Sequence, residues 1–277
     1  MVSKRCLASI VLAVSVTGVS AAAAQPALVD LMQRHGVEIK HGGLDAAFDA
    51  YATPAVPVNP GSFAAPLAIL TTTAGGERVA AAYAFGILAG RSGGAASPQE
   101  LTAAGQALLL MIGSDDRRTR IAGARVAGRV FAAPYDRSGV APIAPAGITE
   151  ALFTLLNQDR EIEQLAAMDA LGLLRQPSAV ASLTERYYFY RDGNKRASAG
   201  GALEALARIG DPSTTAIVKL LVADRWAAGN DATALAVAFA RERMLKDGSI
   251  AVIQQALDGK RRNQARGYLA ELGAPVP

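Results

Sequence analysis

The sequence is poor in the side chains that most often carry out chemistry in proteins. Its 277 residues include one cysteine, Cys6, and two histidines, His35 and His41. Because Cys6 lies in a segment that we expect to be removed, the mature chain would have no thiol for a disulfide, a metal site or a nucleophile. The histidines lack helical i, i+4 spacing, so a zinc site would need ligands from elsewhere. We therefore predict no catalytic residue, no metal site and no cofactor.

Phosphate-binding motifs and a strong charge are missing as well. No G-x-G-x-x-G motif occurs, and the glycines around Ser92 lack the lysine of a phosphate loop. The chain has 28 Lys and Arg against 24 Asp and Glu, and removal of Lys4 and Arg5 leaves 26 against 24. A near-neutral chain is a poor candidate for binding nucleic acid, so we expect no nucleic-acid partner.

The N-terminus contains the three parts of a secretory signal peptide in their usual order. Two basic residues are followed by an uncharged, mostly apolar run from Leu7 to Val19, and then by Ala22 and Ala24 at the −3 and −1 positions of a cleavage site. The run is short for a membrane span, which takes about 20 residues. We predict a signal peptide over residues 1–24, cleavage before Gln25, and a periplasmic or secreted protein without stable membrane insertion.

The rest of the chain contains repeated helical segments rich in small residues. In each segment, apolar and small side chains recur at i, i+3, i+4 and i+7, as an amphipathic helix requires. The segments begin at Glu77, Arg118, Glu161, Lys195 and Asn230, with a truncated copy from Lys260. Small residues that would let neighbouring helices approach closely recur 42, 44, 35 and 33 positions apart, at Gly86, Gly128, Gly172, Ala207 and Ala240.

The fourth copy shows how one helix ends and the next begins. In "RASAGGALEALARIGDPSTTAIVKLLV", Gly210 can end the first helix, Asp211 can cap the second and Pro212 fits its first turn. The segment resembles a HEAT-type repeat, close to the bilin-lyase-like subgroup, and the pattern extends over about residues 77–272. The resemblance implies an all-α fold, an α-solenoid of stacked antiparallel helix pairs forming a HEAT-like superhelix. It places first helices on the convex side and second helices on the concave side.

The sequence predicts a separate N-terminal segment before this solenoid. We assign residues 25–61 to an N-terminal cap and Pro-rich linker, and residues 62–277 to the solenoid, because an end repeat must cover exposed core. Two copies carry long loops between their helices, at residues 90–97 and 132–147. These loops would emerge on one edge and form a rim, although surface loops also tolerate neutral changes in length.

Charged residues near helix starts have simple explanations. Asp115 and Asp116 precede a helix, where a carboxylate caps the helix and favours its dipole without any chemistry. The densest basic run, from Lys260 to Arg262, opens the last helix, where positive charge opposes the dipole unless an acidic group lies nearby. A solvated helix end is the simpler interpretation of that run.

Four consecutive aromatic residues occur in "ERYYFYRDGNKR", in a chain with only 7 Phe, 7 Tyr and 1 Trp. At about 100° per residue, Tyr187 and Tyr190 face the core. Tyr188 then lies on the flank and Phe189 points away from the core. Aromatic and arginine side chains often anchor interfaces, although the tyrosines and the tryptophan would equally seal the core between repeats. We predict a protein-binding site formed by Tyr188, Phe189, Arg191, Arg225 and Trp226.

These patterns predict an exported, non-enzymatic scaffold that binds a protein or peptide partner through its concave surface and loop rim. Two alternatives stay open. The first is a lyase-like or chaperone-type helper that acts on a cofactor-bearing protein, which the resemblance suggests, and the second is a purely structural envelope module. A deep pocket with a convergent acid and base would favour the first alternative, and a smooth polar groove would favour the second.

Overall fold

The computed structural model describes residues 63–92, 96–132, 143–223 and 231–276. Over these ranges the protein is all helical and has no strand, which confirms the expected all-α class. The helices are α1 (Ala64–Thr72), α2 (Gly75–Ser92), α3 (Pro98–Ile112), α4 (Arg117–Val130), α5 (Ile148–Leu156), α6 (Glu161–Leu173), α7 (Val180–Asp192), α8 (Arg196–Ile209), α9 (Thr215–Ala223), α10 (Asp231–Leu245), α11 (Ile250–Gln255) and α12 (Arg262–Leu272). The expected signal peptide and N-terminal cap lie outside the described residues.

The even-numbered helices pack side by side, and we call them the even row. Helix α2 contacts α4, α4 contacts α6, α6 contacts α8, and α8 contacts α10. A Cβ atom added at Gly128 of α4 would lie 2.7 Å from the Cα of Ala170, and one added at Gly172 of α6 would lie 2.6 Å from the Cα of Ala205. The close helix approach that the sequence predicts is confirmed at both glycines.

The odd-numbered helices, which we call the odd row, are the second helices of the sequence repeats. Each packs against the even helix that follows it, so extensive contacts join the second helix of one repeat to the first helix of the next. Contacts between odd helices are smaller and join α1 to α3 and α3 to α5. The apolar core lies between the two rows, where Leu108, Leu171 and Leu206 are fully buried.

Local signals in the sequence set the helix boundaries. The Asp116 side chain accepts a hydrogen bond of 2.8 Å from the backbone N–H of Thr119 and caps α4. Gly210 ends α8 in the left-handed conformation, with φ of 72°, and the Asp211 side chain accepts from the N–H of Ser213 at 2.8 Å. The capping functions predicted for Asp116 and Gly210 are therefore confirmed, and Asp211 caps a short 3-10 turn, Pro212–Thr214, that leads into α9.

The predicted long loops lie partly outside the described residues, which omit 93–95 and 133–142. The end of the second loop packs back on the fold, because Pro145 lies against Gly105 of α3 and leaves no room for a Cβ atom there. Ile143, just before it, is 93% exposed. In the described residues, no helix has both the length and the apolar character that a membrane crossing requires.

Candidate functional site

The aromatic run on α7 divides between core and surface as the helical angles predict. Tyr187 is 2% exposed and Tyr190 is 1% exposed, whereas Phe189 is 58% exposed. The Tyr190 hydroxyl donates to the side-chain oxygen of Gln164 on α6, and burial raises the pKa of Tyr190 to about 12. The predicted register of α7 is confirmed, and its two buried tyrosines belong to the core.

Three of the five predicted binding residues can be placed, since Arg225 and Trp226 lie outside the described residues. Tyr188 is half-buried and lines a groove of about 580 Å³ between α7 and α9. The Arg191 guanidinium lies 4.7 Å from the centre of the Tyr188 ring, and its Nη2 lies 2.8 Å from Oδ1 of Asp192. The structure therefore groups Tyr188 with Arg191 and leaves Phe189 facing solvent.

We expect Tyr187→Ala and Phe189→Ala to differ sharply in stability. Removal of the buried Tyr187 ring leaves a cavity and should lower the free energy of unfolding by about 3 kcal/mol or more. Removal of the exposed Phe189 ring should change it by about 0.5 kcal/mol or less. Thermal melts followed by circular dichroism measure both, and equal losses of melting temperature would contradict the surface position of Phe189.

A second groove, of about 590 Å³, collects side chains from helices that are far apart in the sequence. We call it the Arg208 groove. Its charged and polar lining consists of Arg125 and Arg129 on α4, Asp169 on α6, Glu204 and Arg208 on α8, Asn263, Gln264, Tyr268 and Glu271 on α12, and Lys260 and Arg261 just before α12. Its apolar lining includes Ile121, Ile162 and Leu165.

The Arg208 groove lies on the first helices of the repeats, whereas the resemblance implied a concave side formed by the second helices. Helices α4 and α12 both line this one groove, although they are far apart in the sequence. Close contacts at Gly128 and Gly172 draw even helices together, whereas the odd helices touch one another less.

One arginine organises the floor of the groove. The Arg208 side chain is 5% exposed and forms ion pairs with Asp169, Glu204 and Glu271. Its Nη1 donates to Asp169 at 2.7 Å, and its Nε and Nη2 donate to the two oxygens of Glu271 at 2.9 and 3.0 Å. A bidentate pair with an additional carboxylate fixes the guanidinium tightly. Arg208 therefore joins α6, α8 and α12.

Burial and the neighbouring charges alter the acidity of this cluster. Burial raises the pKa of Glu204 above its ordinary value, and the attraction of Arg208 only partly offsets that rise. For Asp169, the attraction of Arg208, Arg129 and Arg125 outweighs the effect of burial and lowers the pKa. The Tyr268 hydroxyl donates to Glu204 at 2.7 Å and accepts from Gln264 at 2.8 Å. A carboxyl group with a raised pKa beside a tyrosine thus lies in the groove floor.

Sequence reasoning missed this groove, although part of its signal was present. Arg125 and Arg129, like Glu204 and Arg208, are four residues apart and therefore share one face of a helix. Polar pairs at this spacing in helices rich in alanine and glycine mark the face that is not packed in the core. The sequence gives no signal that α12 pairs with α8, because Glu271 is 63 residues from Arg208.

Two possible chemical motifs have no support in the structure. The letters from Gly90 to Gly94 fit the G-x-S-x-G pattern, but Ser92 ends helix α2 instead of following a strand, as a nucleophile elbow requires. Within the described residues there is no group of three or more His, Cys, Asp or Glu side chains able to hold a metal ion. His35 and His41 lie outside the described residues.

Comparisons with known proteins give little information. No family model matches the chain, and no curated protein matches its sequence. A crystal structure of an engineered protein is 16% identical, with a TM-score of 0.34, and the match covers 88% of this chain and 94% of that chain. A TM-score this low supports no argument about fold or function.

Proposed function

We propose that this protein is an exported α-solenoid with HEAT-like repeats that binds a protein or peptide partner in the Arg208 groove. The observation that carries the proposal is the groove itself, since side chains from α4, α6, α8 and α12 converge on one volume. An α-solenoid characteristically offers such an extended concave surface to its partner. The basic start, apolar run and Ala-x-Ala site of the N-terminus support export.

The shape and lining of the groove favour a peptide. Ile162 is 48% exposed there, and an apolar side chain on a groove wall gains free energy when a partner covers it. Gly267 on α12 leaves part of the groove open, because no atom lies within 4 Å of the position that a Cβ would take there. A larger side chain at this position would project into the groove.

The test is to fill the groove without disturbing the core. Gly267→Leu adds a bulky side chain in open space, so we expect a stable protein that no longer captures its partner from an envelope fraction. Gly267→Ala adds only a Cβ atom and should still capture it. Mass spectrometry of the captured proteins identifies those lost with Gly267→Leu, and thermal melts check that all variants fold.

A second control distinguishes binding in the Arg208 groove from binding on the surface of α7. Phe189→Ala alters the odd row, on the opposite side of the core, and should leave the captured proteins unchanged. Proteins lost with Phe189→Ala but retained with Gly267→Leu would contradict the proposed site and favour α7. Identical captured proteins for the wild type and both variants would contradict partner binding on either surface and favour a structural envelope module.

A further inference from the structure

The Arg208 groove carries more positive than negative charge. Five cations and three carboxylates line it, so its formal net charge is +2. The cations are Arg125, Arg129, Arg208, Lys260 and Arg261, and the carboxylates are those of Asp169, Glu204 and Glu271. Complementary charge steers partners to such a surface and excludes partners of the same sign.

The acidic and the exposed basic side chains lie at different depths in the groove. The three carboxylates surround Arg208, and the side chains of Glu204 and Glu271 are only 18% and 14% exposed. Lys260 and Arg261 are exposed, and neither forms an ion pair within the part of the chain that the structure describes. An incoming partner therefore meets basic side chains at the rim, whereas most of the negative charge is already neutralised in the floor.

Lys260 and Arg261, which we call the basic rim, lie at the start of a helix, where positive charge is unfavourable. Helix α12 begins at Arg262 and has no acidic residue in its first turn, and Arg261 makes no capping hydrogen bond with its side chain. Basic side chains at this end oppose the helix dipole, and an anionic group nearby would relieve that repulsion. The sequence raised the need for an acidic neighbour, and within the described residues none of Lys260, Arg261 and Arg262 forms an ion pair.

Three apolar side chains form another part of the groove lining, which we call the apolar shelf. Ile121 and Leu165 are half-buried and Ile162 is 48% exposed in the same groove. A free anion such as phosphate would use the cations but leave this shelf uncovered. A peptide that places an aliphatic or aromatic side chain on the shelf uses both features.

We propose that the Arg208 groove binds an acidic segment of a partner protein, in which Asp or Glu residues flank an aliphatic or aromatic residue. This rests on the proposed function and specifies the chemistry of the partner. The carboxylates of the segment pair with Lys260 and Arg261 at the rim, and its apolar side chain covers Ile162.

The test selects a displayed library of random peptides on the purified protein and measures the enriched peptides by fluorescence polarisation. We expect Asp and Glu beside Leu, Ile or Phe, with affinity falling between low and physiological ionic strength. Lys260→Glu/Arg261→Glu should weaken binding by about tenfold or more. The matched control, Arg175→Glu/Lys219→Glu, makes the same change in net charge at two exposed residues that do not line the groove and should leave the affinity unchanged.

The outcomes distinguish this inference from the proposed function. Peptides without acidic enrichment that still lose binding with Gly267→Leu would overturn the acidic segment but leave groove binding intact. Equal weakening by the two charge-reversed variants would show that only the net charge matters and would also overturn it. No enrichment on the wild type above that on Gly267→Leu would overturn both proposals.

Discussion

Gly172→Ala should destabilise the protein strongly even though it adds a single methyl group. The added Cβ would lie 2.6 Å from the Cα and 2.9 Å from the Cβ of Ala205, so helices α6 and α8 would have to separate. Overpacking against backbone should cost about 3 kcal/mol or more. The gain in helix propensity returns only about 1 kcal/mol. We therefore expect a net loss of about 2 kcal/mol or more in the free energy of unfolding, measured by urea titration.

The same substitution elsewhere provides the matched control. Gly267 is also inside a helix, but nothing lies within 4 Å of its added Cβ. Gly267→Ala should therefore stabilise the protein by about 0.5–1 kcal/mol through helix propensity alone. If the two variants shift the unfolding midpoint in the same direction, close packing at Gly172 does not hold the even row together.

The all-α class and several helix boundaries were predictable because their signals are local. Small residues at fixed spacing predicted close contact at Gly128 and Gly172, and the turn at Gly210 and Asp211 predicted a helix boundary. The angles along α7 separated the buried Tyr187 from the exposed Phe189. Each of these depends on residues within one or two helical turns, where steric and hydrogen-bonding rules act directly.

The face that carries the groove was not predictable from the same signals. It depends on which distant helices come together, and a helical stripe shows only which face is apolar. The Arg208 cluster has the same difficulty, because Asp169 and Glu271 are 39 and 63 residues from Arg208. A single sequence contains spacing along a helix, whereas these contacts arise only after several helices have stacked.

Arg208→Met should cause a loss of stability that depends on pH. The variant retains most of the side-chain volume but leaves three carboxylates without their central cation, and breaking a buried ion pair costs about 3–5 kcal/mol. Without the cation, burial should hold the folded-state pKa of Glu204 still further above its unfolded value. The destabilisation should therefore be largest above pH 7 and shrink as the pH falls and Glu204 becomes protonated.

Urea titrations of wild type and Arg208→Met over a range of pH measure this dependence directly. Arg191→Met is the matched control, because Arg191 pairs with Asp192 at the surface, where their side chains are 35% and 66% exposed. An exposed pair contributes about 1 kcal/mol or less, so the control should lose little stability at any pH. A loss in Arg208→Met that stays constant with pH would show that packing, and not the three carboxylates, makes Arg208 necessary. Arg208 would then act mainly by filling space beside Phe239, whose ring centre lies 5.9 Å from its guanidinium.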